Sequence, residues 1–186
     1  MIKGIITDFD GTLADTYMAN LLSYQDAFAA CGLTLFSDDY KKCFGLRFDD
    51  FMEAMHVDAD TAKQIKKLKA EYYKKNRWGV NINKPLYNFI KQAHDNGVVT
   101  AIASTASPEN LMMVCNDNGL TEAFDYIIAG NEVTNGKPAP DVYLKALEHM
   151  GLHADEVLAF EDSKVGIESL NNAGINNYVI CDRTKL

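Results

Sequence analysis

The sequence has 186 residues, 47% of them hydrophobic, which suits one compact domain with an insertion, or a core with a small second lobe. No apolar run approaches the roughly 18 residues that a bilayer-spanning helix needs, so no membrane span is expected. The net charge of −8 argues against nucleic acid as the main partner.

In chain order, Ile2 to Thr7 is short, apolar and β-branched, and reads as a buried strand ending at Asp8, with Gly11-Thr12 turning the chain away. From Thr16 to Cys31 the period becomes helical: Tyr17, Leu21, Tyr24 and Phe28 recur three and four apart, and Gly32 is placed to end the helix. Further helices are predicted from Ser37, as N-cap, to Phe44, from Phe48 to Met55, and from Asp60 to Arg77. Four helices without a strand imply an all-helical lobe. The charge pattern agrees: Asp15 to Val80 holds ten acids and ten Lys/Arg, so the rest of the chain carries the whole −8. The expected division is a discontinuous core of residues 1–14 and 81–186, with residues 15–80 inserted.

Strand–helix alternation follows. A helix from Pro85 ends at Gly97, Val98–Ala103 is a strand, and Ser107-Pro108-Glu109 opens a helix closed by Gly119. Tyr126–Ala129 is a strand, Asp141–Met150 a helix closed by Gly151, Val157–Phe160 a strand, Ser163–Ala173 a helix, and Asn177–Cys181 a last strand. This alternation predicts an α/β fold with a Rossmann-like, doubly wound parallel sheet, in which ligands bind beyond the C-terminal strand ends. Asp8, Ser104, Lys137 and Glu161-Asp162 all fall at that edge.

The residue types there suit phosphoryl chemistry. Asp8 and Asp10 are paired carboxylates that different surroundings can split into nucleophile and acid/base, although such pairs also occur on solvated loops and in glycosyltransferase metal sites. Glu161 and Asp162 supply more oxygen ligands; their bland reading is a solvated helix start. Mg²⁺ takes few protein carboxylates and keeps waters and phosphate, so Asp8, Asp162 and a backbone carbonyl suffice. Lys137, stiffened by Pro138 and Pro140, can pair with the nucleophile and stabilise transferred charge, whereas a lone loop lysine is usually just solvated. Ser104 offers a hydroxyl and a nearby backbone N–H, or is an ordinary turn residue. Cys31, Cys43, Cys115 and Cys181 form no CxxC pair and read as free thiols. The four histidines are isolated.

These residues carry a resemblance. Asp8-Phe9-Asp10-Gly11-Thr12-Leu13, Ser104 in Ala-Ile-Ala-Ser-Thr, Lys137 in Gly-Lys-Pro-Ala-Pro-Asp, and Phe160-Glu161-Asp162-Ser163 with Gly166 resemble the four motifs of the haloacid dehalogenase superfamily, in order and over nearly the whole chain. They look most like its β-phosphoglucomutase-like and phosphatase branch, and the helical insertion resembles that branch's cap domain. The resemblance implies that Asp8 attacks phosphorus to form an aspartyl-phosphate, and that Asp10 protonates the leaving oxygen and then activates water. It further implies that Asp8, the Asp10 carbonyl and Asp162, with Glu161 in or near the shell, hold Mg²⁺. Ser104, Thr105 and Lys137 would bind the phosphoryl group.

Asp10 argues against the carbon-attacking dehalogenases. The sugar-phosphate mutases resembled here carry a histidine in the register of Asn20 and an arginine one position later than Arg47, so the expected activity is a phosphatase acting on a small phosphorylated metabolite. A mutase is the alternative, and a non-catalytic phosphate-binding protein a third reading. Arg47 and Asn20 are the cap candidates for substrate contact. The N-terminus lacks a signal-peptide pattern, so a cytoplasmic location is expected. Relatives of this branch commonly continue beyond the position of Leu186, so a sheet edge is expected to be exposed or partner-covered, giving a monomer or weak homodimer.

Overall fold

The computed structural model describes residues 1–182. The chain divides into two compact units, one built from Met1–Asp15 together with the chain from Asn81 onward, the other from Thr16–Val80.

The first unit is built on five parallel strands: β1 (Gly4–Thr7), β4 (Val99–Ala103), β5 (Tyr126–Ile128), β6 (Val157–Glu161) and β7 (Tyr178–Ile180). Their order across the sheet is β5-β4-β1-β6-β7, so the chain winds outward from β1 first to one side and then to the other. Helices α5 (Lys84–Asp95), α6 (Pro108–Asp117), α7 (Asp141–Met150) and α8 (Lys164–Asn172) form the crossovers. Three of the four starts have a local cause in a capping side chain. Asn83 accepts from the Leu86 N–H ahead of Pro85, Ser107 precedes Pro108, and Ser163 accepts from the Gly166 N–H.

Strand alternation sends Ile6 of β1, Ala101 and Ala103 of β4, and Val157 and Ala159 of β6 to one sheet face, where they pack with Val142, Tyr143, Ala146 and Leu147 of α7 and Leu170 of α8. Small residues on the central strands leave room for α7 to lie close. The same period places Asp8 and Glu161 on that face, in neighbouring strands.

A short antiparallel pair, β2 (Ala14–Asp15) with β3 (Asn81–Ile82), was not legible in the sequence. It places Asp15 in a strand, one residue past the expected core boundary. Two residues per strand give no periodic signal.

The second unit holds α1 (Tyr17–Ala30), α2 (Ser37–Cys43), α3 (Phe48–Ala54) and α4 (Ala59–Asn76). Leu21 and Phe28 of α1, Tyr40 of α2, Phe51 and Met52 of α3, and Ile65 of α4 form its core. Tyr24 meets Phe51 edge-on, with ring centroids 4.9 Å apart. Asp58 caps α4 by accepting from the N–H groups of Asp60 and Thr61. Ser37 does not cap α2 as expected. Phe36 holds the extended N-cap position, its carbonyl accepting from Tyr40 N at 3.1 Å, and Ser37 is already helical. No helix among the described residues is long and apolar enough to cross a membrane. All four cysteines are free.

Candidate active site

The centre of the site follows from the register of β1 and β6. Thr7 stands opposite Phe160, and the Asp8 N–H donates to the Phe160 carbonyl at 2.9 Å, so Asp8 is still held as strand when its carboxylate reaches the sheet edge. Beyond it the chain folds tightly: the N–H groups of Leu13 and Ala14 donate to the Phe9 carbonyl at 3.1 and 2.9 Å. Gly11 sits there at φ +94°, and a Cβ on it would run into the Asp162 carboxylate. Thr12 Oγ1 donates to Asp162 Oδ1 at 3.2 Å, tying this turn to the end of β6.

Lys137 comes from the loop between β5 and α7 and is only 4% exposed. Its Nζ donates to Asp8 Oδ1 at 2.6 Å and to Glu161 Oε2 at 2.7 Å. The loop is pinned from several sides. Asp141 accepts from Asn135, Ser169 Oγ donates to the Ala139 carbonyl at 2.6 Å, and Asn172 donates to the Pro138 carbonyl at 3.0 Å. The Lys137–Pro138 peptide is cis.

Glu161 is 1% exposed and fully engaged. Oε2 accepts from Lys137 and from the Tyr143 hydroxyl; Oε1 accepts from the N–H groups of Asp162 and Ser163 and from Ser163 Oγ. Oxygens of Asp8, Glu161 and Asp162 gather within 4.8 Å of one another. Glu161 also explains Gly166, where any Cβ would strike its carboxylate. Gly166→Ala is expected to destabilise the protein by about 1–3 kcal/mol, since the carboxylate is fixed by five donors and cannot yield; thermal unfolding measures this.

On the other side, Ser104 follows β4. Its hydroxyl accepts from the Ala106 N–H at 3.0 Å and donates to Asp10 Oδ2 at a long 3.4 Å. Thr105 is half-buried beside it, its carbonyl close to Gly130, where a Cβ would not fit.

Electrostatics follow from this crowding. Burial pushes the Asp8 carboxyl well above the usual carboxylate range, with the Glu161 charge adding to it and Lys137 opposing. Asp162 is pushed up to about 7, by burial and then by Glu161. For Glu161 burial acts in the same upward direction, but Lys137 outweighs it and holds the group below its ordinary value. Burial alone would lower Lys137; Asp8 and Glu161 reverse that and raise it, so it stays an ammonium. Cys115 and Cys181 are pushed up to about 12 and 11, mainly by burial, and remain thiols.

Asp8, Asp10, Ser104, Thr105, Lys137, Glu161 and Asp162 thus all belong to the first unit, and hydrogen bonds link most of them directly. Asn20 and Arg47 belong to the second unit. There Asn20 Oδ1 accepts from Lys69 Nζ at 2.7 Å, and the Arg47 carbonyl accepts the Phe51 N–H at 2.9 Å at the start of α3. Tyr143 was missed by sequence reasoning, and Ser163 entered it only as part of the fourth motif and as a helix start, without its bond to Glu161. Tyr143 had a signal: it lies in the first turn of α7, on the helix's buried face, and a buried tyrosine needs a partner for its hydroxyl.

Comparison with known proteins shows the family and the fold. Residues 5–180 match the family model described as haloacid dehalogenase-like hydrolase. The chain is 33% identical to Protein CbbY of Rhodobacter capsulatus over 94% of its own length and 83% of that protein's. It is 28% identical to the phosphorylated carbohydrates phosphatase of Thermotoga maritima, over 94% and 82% of the two chains. The crystal structure of CbbY from Rhodobacter sphaeroides in complex with phosphate superposes with a TM-score of 0.88 at 25% identity, covering 98% of this chain and 88% of that one. The chain belongs to the haloacid dehalogenase-like hydrolase family.

Proposed function

We propose that this protein is a Mg²⁺-dependent phosphatase that hydrolyses a small, sugar-phosphate-like metabolite through an aspartyl-phosphate on Asp8. The observation that carries this reading is the buried Lys137 ammonium shared between Asp8 and Glu161 at 2.6 and 2.7 Å. A fixed cation on one oxygen orients the carboxylate, leaves its other oxygen for attack, and can meet phosphoryl charge as it builds. The names of two relatives support the substrate class: one is a phosphatase of phosphorylated carbohydrates, and the other was crystallised with phosphate.

The donor set suits a hard cation. Asp8, Glu161 and Asp162 bring three carboxylates to one small space against the single charge of Lys137, so their full ionisation calls for a further cation. Asp8, Asp162 and the Asp10 carbonyl would hold Mg²⁺; both Glu161 oxygens already accept from protein donors, which suits it better to supporting Lys137. Bound there, the ion would offset repulsion between these carboxylates and the substrate phosphate.

In the first half-reaction an Asp8 oxygen bonds to phosphorus while the bond from phosphorus to the ester oxygen breaks, and Asp10 gives that oxygen its proton. In the second, Asp10 accepts a proton from water, the water oxygen bonds to phosphorus, the bond to Asp8 breaks, and inorganic phosphate leaves. Lys137, the Ser104 hydroxyl and the Thr105 segment hold the phosphoryl oxygens. Residues 15–80 act as a cap domain that selects substrate, with Arg47 and Asn20 as its contacts.

A panel of phosphorylated metabolites, scored for phosphate release and for isomerisation, tests this. Release from a sugar phosphate, lost on chelation of Mg²⁺ and restored by adding it, is the expected result. Isomerisation faster than release would make the protein a mutase instead, and no release from any member would overturn the proposal.

A further inference from the structure

Tyr143 is fully buried on α7, yet it touches two charged groups of the site at once. Its hydroxyl donates to Glu161 Oε2, the oxygen that also accepts from Lys137. Its ring lies beneath the Lys137 ammonium, with Nζ 4.8 Å from the centroid. Ring and hydroxyl therefore act on opposite partners of one ion pair. The ring face attracts the ammonium and limits where it can sit. The hydroxyl occupies Oε2 and draws off part of the negative charge that would otherwise pull Lys137 wholly toward Glu161.

We propose that Tyr143 is a positioning residue, which keeps the Lys137 ammonium divided between Glu161 and Asp8 and so holds it on the attacking carboxylate. The proposal rests on the phosphatase reading for its kinetic consequences, but not for its structural one. Without the hydroxyl, Glu161 Oε2 has Lys137 as its remaining donor and the ammonium moves toward it. Asp8 then loses the 2.6 Å bond that orients it. Apolar burial could explain a phenylalanine or leucine here equally well, since Val142, Ala146 and Leu147 on the same helix are buried too. What burial does not explain is a hydroxyl placed on Glu161 with the ring under Lys137.

The test compares Tyr143→Phe, Tyr143→Leu, Glu161→Gln and the Tyr143→Phe/Glu161→Gln double variant with wild type, by kinetics, thermal unfolding and crystal structures of wild type and Tyr143→Phe. Tyr143→Phe keeps the ring and the fold. It is expected to lower kcat about tenfold with KM within about twofold, the size expected for losing a bond to a charged group felt in the transition state. Tyr143→Leu, which also removes the ring, is expected to lower kcat about a hundredfold. Because Tyr143 acts through Glu161, the double variant should be no slower than Glu161→Gln alone. In the Tyr143→Phe crystal structure the Lys137 ammonium should leave Asp8. Losses that add in the double variant, or a Lys137 still bonded to both carboxylates in Tyr143→Phe, would overturn the inference. If wild type releases no phosphate from any substrate, the phosphatase reading falls, and the position of the Lys137 ammonium alone decides for or against Tyr143.

Discussion

Asp8→Asn is expected to release phosphate at least about 10⁴-fold more slowly than wild type, the scale seen when a covalent nucleophile is removed. An amide of the same shape cannot form the proposed phosphoryl ester, while binding and the other donors remain. The loss should appear in kcat. The same substitution is expected to leave the melting temperature of the metal-free protein unchanged or raise it. Asp8 is one of three crowded carboxylates, and its removal leaves Lys137 paired with Glu161 at 2.7 Å. Burial and the Glu161 charge disfavour an ionised Asp8, so a neutral replacement relieves the fold. Calorimetry beside a phosphate-release assay checks both halves. A large drop in melting temperature would mean that Asp8 is structural.

Lys137→Met is expected to do the reverse to stability. It removes the cation from two carboxylates that are 8% and 1% exposed at the side chain, and breaking such a buried pair costs about 3–5 kcal/mol. Activity should fall about 10²–10³-fold, as when one donor to a developing oxyanion is lost. Chemical denaturation and steady-state kinetics separate the two effects. Full stability with lost activity would place Lys137 in catalysis alone. Wild-type activity would remove it from the chemistry.

Much of the fold was legible because its signals are local. Alternation of β-branched strands with capped helices gives a parallel doubly wound sheet, and the observed order β5-β4-β1-β6-β7 is of that kind. The strand ends were legible as one edge because each carried a polar residue after an apolar run: Asp8, Ser104 and Glu161-Asp162. What the sequence could not give depends on packing. The β2–β3 pair is too short for a period to register. Glu161 reads as the residue after its strand, but it is the last residue of β6, and packing brings Lys137 and Tyr143 to its Oε2. Tyr143 reads as one more apolar position on α7; only its partner across the fold gives its hydroxyl a purpose. Gly166 reads as part of a motif, and the structure supplies the physical reason, a carboxylate where a Cβ would be.

The helical unit stands differently. Its core stripe of Leu21 and Phe28 was predictable from spacing, and Tyr17 and Tyr24 pack against the same core. Lys69 is one of several lysines on α4, where a solvated position is the ordinary expectation. Its ammonium instead lies 5.0 Å from the Tyr24 ring centroid and 4.5 Å from that of Tyr73, and it donates to Asn20. Charge runs on a helix are usually wet faces, and spacing alone does not reveal the member that turns inward.

The central claim is that Asp8 carries the phosphoryl group between the two half-reactions. The most direct measurement is the intact mass of the protein, acid-quenched within the first turnover on a substrate that it hydrolyses, followed by peptide mapping. The predicted result is a gain of one phosphoryl group in wild type, mapped to the peptide containing Asp8 and absent from Asp8→Asn. Phosphate release at the wild-type rate by Asp8→Asn, or a phosphoryl group mapped to any other residue, would contradict it.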